Sequence, residues 1–155
     1  MQTTISLIAR LVGVASLFAL ATGCTRMGQY DVRMSLDAPM IAGAKSARVD
    51  IVGVNVLQRE SPNLRETGVR QSVAFGAGMD SSVVLPRTAE VWQVWKGRGA
   101  YYLVVFGDLP DGQARLELPL NTKAWPRAVV RGKAPIELIV HESGIECATP
   151  TKPLQ

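Results

Sequence analysis

The sequence has few of the residues that build metal and catalytic centres. It contains one histidine, His141, and two cysteines, Cys24 and Cys147. No Cys-x-x-Cys or His-Glu-x-x-His spacing is present, which argues against a zinc site. A Gly-x-Ser-x-Gly motif and a phosphate-binding glycine loop are also missing. We therefore expect no catalytic residue, no metal and no cofactor, and a binding or scaffold role is favoured over an enzyme.

Charged and aromatic residues are scarce as well. They make up 19% and 6% of the 155 residues, and 17 Lys and Arg against 13 Asp and Glu give a net charge of +4. This excess is too small to indicate a nucleic-acid partner, so none is expected. Hydrophobic residues make up 47%, which predicts a globular chain with material for one core.

The N-terminal residues have the pattern of an export signal. Arg10 precedes an apolar run, and small residues then lead to Cys24, which is the layout of a secretory leader. The stretch Leu20-Ala21-Thr22-Gly23-Cys24 resembles the lipobox of bacterial lipoproteins. The resemblance implies that residues 1–23 are removed and that Cys24 carries the lipid.

Thr25 follows the cysteine, and in lipoproteins a residue other than Asp at this place implies the outer membrane, with the domain facing the periplasm. Two alternatives remain open. Ala19-Leu20-Ala21 fits ordinary signal peptidase, which would release a soluble protein. The 19 residues from Ile5 to Gly23 are just long enough for an uncleaved membrane span.

The rest of the chain is predicted to be mostly β. Alternating or β-branched apolar residues indicate strands, and Pro110-Asp111-Gly112 indicates the turn of a hairpin. The predicted strands cover 30–37, 47–57, 82–85, 135–142 and the two arms of a hairpin over 100–119. Together they predict an antiparallel two-sheet sandwich with one short helix.

That helix is predicted over 88–96, with Thr88 as its N-cap. Trp92 and Trp95 share its apolar face, and at this spacing they are assigned to the core rather than to a ligand platform. Residues 58–80 are predicted to be a loop with short pieces of structure. The predicted organisation is a leader (1–23), a tether (24–29), a sandwich domain (30–147) and a flexible tail (148–155).

Several of these stretches resemble the TssJ lipoprotein family of type VI secretion systems. The similar stretches are VRMSLDAP followed by RVDIVGVNVL, GAYYLVVFGDL, and AWPRAVV followed by IELIVHESGI. The resemblance implies a transthyretin-like sandwich that anchors an envelope-spanning complex by binding the periplasmic part of the large inner-membrane subunit TssM. The alternatives are a free-standing envelope lipoprotein of unknown ligand and an enzyme with a non-obvious site.

In this family the loop between the first two strands contacts the partner, and here that loop is 38–46. Its candidate contact residues are Pro39, Met40, Ile41, Ala42 and Gly43. Met40 and Ile41 are apolar in a loop of small residues, which suits a protein contact but also suits packing onto the core. Separately, a small basic cluster is formed by Arg127, Arg131 and Lys133. It suits contact with lipid headgroups or peptidoglycan carboxylates, but it also suits a face that is simply exposed to solvent.

Overall fold

The computed structural model describes residues 26–153. The predicted leader, Cys24 and the last two residues of the predicted tail lie outside this range. The elements are β1 (Val32–Leu36), α1 (Ala38–Ala42), β2 (Ala47–Val54), α2 (Leu64–Thr67), β3 (Arg70–Phe75), β4 (Ser82–Leu85), α3 (Val91–Gly97), β5 (Tyr102–Leu109), β6 (Gly112–Pro119), a 3₁₀ turn (Thr122–Ala124), α4 (Arg127–Val130), β7 (Ile136–Val140) and β8 (Ile145–Cys147). Among these residues no helix is long and apolar enough to cross a membrane.

The strands form two four-stranded sheets, which confirms the predicted β-sandwich. The first has the order β4-β1-β7-β8 and the second the order β3-β2-β5-β6. All neighbouring strands are antiparallel except β1 and β7, which run parallel. The strand predicted over 82–85 is β4, which lies at an edge of the first sheet, and the predicted hairpin is β5 and β6, joined at Pro110-Asp111.

The core lies between the two sheets and is built by the alternation that the sequence shows. In β1, Val32, Met34 and Leu36 are buried while Arg33 points to the outer side. One apolar cluster joins these side chains to those of the second sheet and to the three tryptophans. Trp92 and Trp95 are buried, so their assignment to the core is confirmed. Trp95 packs so closely on Gly53 that a Cβ at that position would overlap its indole.

The outer face of the second sheet is covered by residues 55–69, which we call the covering segment. Leu64 of α2 packs there on a buried patch that includes Val52 and Val104. Arg65 donates from Nε to Asp50 at 2.8 Å and from both terminal nitrogens to Asp108 at 2.7 Å. The packing of Leu64 and the hydrogen bonds of Arg65 together explain why β2 is buried on both faces, with Asp50 fully enclosed.

The contacts with Arg65 affect the ionisation of the carboxyl groups of Asp50 and Asp108. Burial acts to raise the pKa of Asp50, but hydrogen bonds from Ser72 and Arg65 and the charge of Arg48 bring it below its ordinary value. The hydrogen bonds from Arg65 likewise lower the pKa of Asp108. Both groups are therefore ionised at neutral pH and hold the covering segment on the sheet.

Three predictions about local structure are wrong. Residues 38–46 begin with the helix α1 rather than forming a loop, because Asp37 accepts a hydrogen bond from the backbone N–H of Met40 at 2.9 Å and Pro39 lies in the first turn. The helix predicted over 88–96 begins later, at Val91, and Thr88 is not its N-cap. Residues 58–80 contain β3, so this region holds a full strand.

The predicted tether and tail are attached to the domain wherever the structure describes them. Gly28 donates to Leu120 at 2.8 Å, and Thr122 donates to Arg26 at 3.0 Å. On the C-terminal side, Lys152 donates to Ala124 at 2.8 Å. Residues 26–29 are therefore part of the folded body rather than a free tether, and the predicted flexible tail is bound as far as Lys152.

Candidate functional site

The two ends of the sandwich carry opposite charges. We call residues 26–31, 86–101 and 120–135 the basic end, because they hold eight Lys and Arg against two Asp and Glu. The acidic end consists of 37–46, 76–81, 109–112 and 141–146, with five Asp and Glu against one Lys. The chain enters at the basic end through residues 26–31, and β1 carries it across to the acidic end, where α1 begins.

The candidate contact residues predicted from sequence lie on α1 and just after it, at the acidic end. Pro39, Ala42 and Gly43 are exposed, and Ile41 is 51% exposed. Met40, in contrast, is fully buried in the main core. Met40 is therefore not available to a partner, because the first turn of α1 directs it inward while Ile41 stays on the surface.

A charged cluster fixes the start of α1 to the end of β7. His141 Nδ1 lies 2.7 Å from Asp37 Oδ2, and His141 Nε2 lies 3.2 Å from Glu146 Oε2. Asp37 uses its other carboxylate oxygen to cap α1. One aspartate thus connects a helix N-terminus to a histidine 104 positions away in the chain.

The ionisation of this cluster follows from its contacts. The hydrogen bond to Asp37 raises the pKa of His141 above its ordinary value, with a further contribution from Glu146 and some opposition from burial. The backbone N–H of Met40 and the contact with His141 lower the pKa of Asp37. His141 therefore bears its charge to higher pH than an exposed histidine does.

Around this cluster lies a broad, open depression of about 510 Å³. Asp37, Asp111, Glu142 and Glu146 line it together with His141 and Pro39. Both ring nitrogens of His141 contact carboxylates, and the Cys147 thiol donates to the backbone oxygen of Thr149. In this arrangement His141 does not activate Cys147, and the depression suits contact with cationic groups of a partner.

Sequence reasoning missed the cluster for identifiable reasons. Asp37 followed by Ala-Pro is an N-cap signal that was available, since Asp caps helices and Pro suits their first turn. Glu146 lies on β8, a strand of three residues whose pattern is too short to recognise. The parallel pairing of β1 with β7, which brings Asp37 near His141, cannot be deduced from local patterns.

The same side chains include the residue types that bind metal ions. Within 26–153, no group of three or more His, Cys, Asp and Glu side chains has an arrangement that could hold a metal ion. In the part of the chain that the structure describes, His141, Asp37 and Glu146 are instead engaged with one another.

Searches of protein-family models, curated proteins and solved structures found no match to this chain.

Proposed function

We propose that this chain is a lipid-anchored binding or scaffold module of the bacterial envelope. In this proposal Cys24 carries the lipid, and the sandwich faces the periplasm from the outer membrane. The lipobox-like leader supports the anchor, and a two-sheet sandwich suits a scaffold. The observation that carries the proposal is the separation of chain entry at one end from the exposed face of α1 at the other.

We further propose that the acidic end binds a protein partner, in the manner of TssJ with the periplasmic part of TssM. Ile41 supplies an apolar contact, and the carboxylates around His141 supply a negative rim. An apolar centre with a charged rim is the usual anatomy of a protein interface. The complementary surface would carry Lys or Arg around an apolar pocket.

Affinity purification tests this proposal. The tagged full-length protein is purified from detergent-solubilised membranes of its own host, and the captured proteins are identified by mass spectrometry. We expect a large inner-membrane secretion subunit with the unmodified protein and a loss of that subunit with Ile41→Asp. Val94→Asp is the matched control, since Val94 is 42% exposed and lies at the basic end.

Two outcomes would count against the proposal. Capture of the subunit by Ile41→Asp at the level of the control would remove α1 from the contact. Recovery of the protein alone, or with only lipid and peptidoglycan fragments, would favour the free-standing lipoprotein instead.

The anchor has its own test. Cys24→Ser should abolish lipid attachment, which the mass of the N-terminal peptide reports. If this variant stays in the membrane with residues 1–23 still present, an uncleaved span replaces the lipid anchor.

A further inference from the structure

The cations of the basic end lie mostly at the surface of the domain. Its eight cations are Arg26, Arg87, Lys96, Arg98, Lys123, Arg127, Arg131 and Lys133. All are exposed except Arg87, which is half-buried. In the described range, the ion pairs within 4.0 Å involve Arg33, Arg48, Arg59, Arg65, Arg115 and His141, none of which belongs to this end. Within residues 26–153 these cations therefore form no ion pair, and they can meet an external anion.

Several of these cations converge on a cleft. Arg26, Arg87 and Lys96 line a depression of about 420 Å³ together with residues 27–29. Arg87 lies against Gly132, where a Cβ would overlap its guanidinium group. This contact brings the segment before α3 next to the segment after α4. Arg87 is thus placed next to the segment that carries Arg131 and Lys133.

The distance from the proposed lipid anchor to this surface is very short. Arg26 is hydrogen-bonded to Thr122, so the folded body starts two positions after Cys24. An extended chain advances at most about 3.6 Å per residue, so two steps span only about 7 Å. The Debye length at physiological ionic strength is about 8 Å, so charges at this separation are incompletely screened.

We propose that the basic end rests on the anionic lipid surface of the membrane, with lipid phosphates in the cleft of Arg26, Arg87 and Lys96. The inference rests on the proposed lipid anchor, which brings this end to the bilayer. The acidic end lies at the far side of the sandwich, several Debye lengths from the same surface, and is not held there. Attraction of the basic end therefore directs α1 away from the lipid.

Fluorescence quenching in reconstituted vesicles tests the orientation. Acylated full-length protein is placed in vesicles of phosphatidylcholine, with or without phosphatidylglycerol, that carry a headgroup-attached quencher. In a Cys147→Ser background, one probe is attached through Thr88→Cys at the basic end and another through Ser143→Cys at the acidic end. We expect phosphatidylglycerol and low salt to increase quenching of the Thr88 probe only.

Charge reversal supplies the decisive comparison. The triple variant Arg127→Glu, Arg131→Glu, Lys133→Glu should lose the phosphatidylglycerol-dependent quenching. Arg131→Glu alone should weaken the phosphatidylglycerol-dependent quenching. Lys45→Glu changes the net charge by the same amount as Arg131→Glu, but at the acidic end, and should leave this quenching unchanged. Equal quenching in both vesicle types, equal quenching of both probes, or an unaffected triple variant would overturn the proposal.

A failure of the lipid anchor is distinguishable from a failure of this inference. The mass of the N-terminal peptide reports acylation independently of the probes. If the chain proves unacylated, sedimentation with phosphatidylglycerol vesicles but not with phosphatidylcholine vesicles would support the charged surface without the anchor. Sedimentation with neither would contradict both.

Discussion

The basic and acidic ends differ in how their surfaces are supported. At the basic end, Tyr30, Trp92, Trp95 and Trp125 pack together below the charged residues. At the acidic end, α1 has one buried side chain, Met40, and is held by the contacts of Asp37. One end is thus supported by aromatic packing and the other by hydrogen bonds and charge.

The two ends also show that a small net charge can conceal a strong separation of charge. The chain carries only +4 over 155 residues, but its loops divide into a basic set and an acidic set at opposite ends of the strands. Packing at the basic end does not depend on pH in the neutral range, whereas the contacts of His141 do. The ends should therefore respond differently to mutation and to pH.

The largest effect should follow from removing an indole at the basic end. Trp95 is buried, and its Nε1 donates to the backbone oxygen of Val69 at 2.7 Å. Trp95→Ala should lower the free energy of unfolding by about 3–5 kcal/mol, because a large cavity replaces the ring. Chemical denaturation checks this value, and unchanged stability would show that the aromatic cluster does not support the basic end.

The next largest effect should be the difference in stability between two neighbouring substitutions at the acidic end. Met40→Ala should cost about 2–5 kcal/mol because its side chain lies in the core. Ile41→Ala, one residue further on the exposed side of α1, should stay within about 0.5 kcal/mol. Denaturation of the two variants in parallel makes the comparison, and equal losses would contradict the division of α1 into a core side and a partner side.

The smallest effect should be a pH dependence confined to the acidic end. Because the folded pKa of His141 is raised, its charge stabilises the fold fully below the ordinary value of about 6.5, and this contribution is lost as pH rises through the folded pKa. Asp37 has a lowered pKa, so its own contribution disappears only in acid. As the pH rises above about 6.5, the Tm of the protein should therefore fall more than the Tm of His141→Gln does.

Since His141 is the only histidine, its NMR titration can be followed without interference. Asp37→Asn is the matched control, because Asn preserves the N-cap but removes the negative charge beside the imidazole. The pKa of His141 should move down towards its ordinary value in this variant. An unchanged titration would mean that the contact with Asp37 does not hold the charge.

The sandwich itself was predictable because alternating apolar residues report directly on a half-buried strand. The alternation of Val32, Met34 and Leu36 and the apolar run of β5 both appear in the structure as predicted. β3 was missed because its inward positions are only weakly apolar: Gln71 and Val73 are partly buried, and Phe75 alone is fully buried. Its place is decided by pairing with β2 rather than by its own composition.

The candidate site was predictable only in part. The exposure of Ile41 agrees with a contact surface. The burial of Met40 was not predicted, because it depends on α1 and residues 38–46 were predicted to form a loop. The cluster of Asp37, His141 and Glu146 requires three elements to meet, and local sequence patterns do not contain that information. The two charged ends likewise could not be recognised from the sequence, because their residues are distributed over seven separate segments of the chain.

The parallel pairing of β1 with β7 also has a consequence for the order in which the domain is made. Arg33 of β1 contacts Glu137 of β7, 104 positions later. The first sheet therefore cannot be completed while only the N-terminal half of the chain is present. Such distant pairings slow folding, since a long loop must close before any contact compensates its entropy. Because β7 is made late, we expect the first sheet to form only near the end of synthesis.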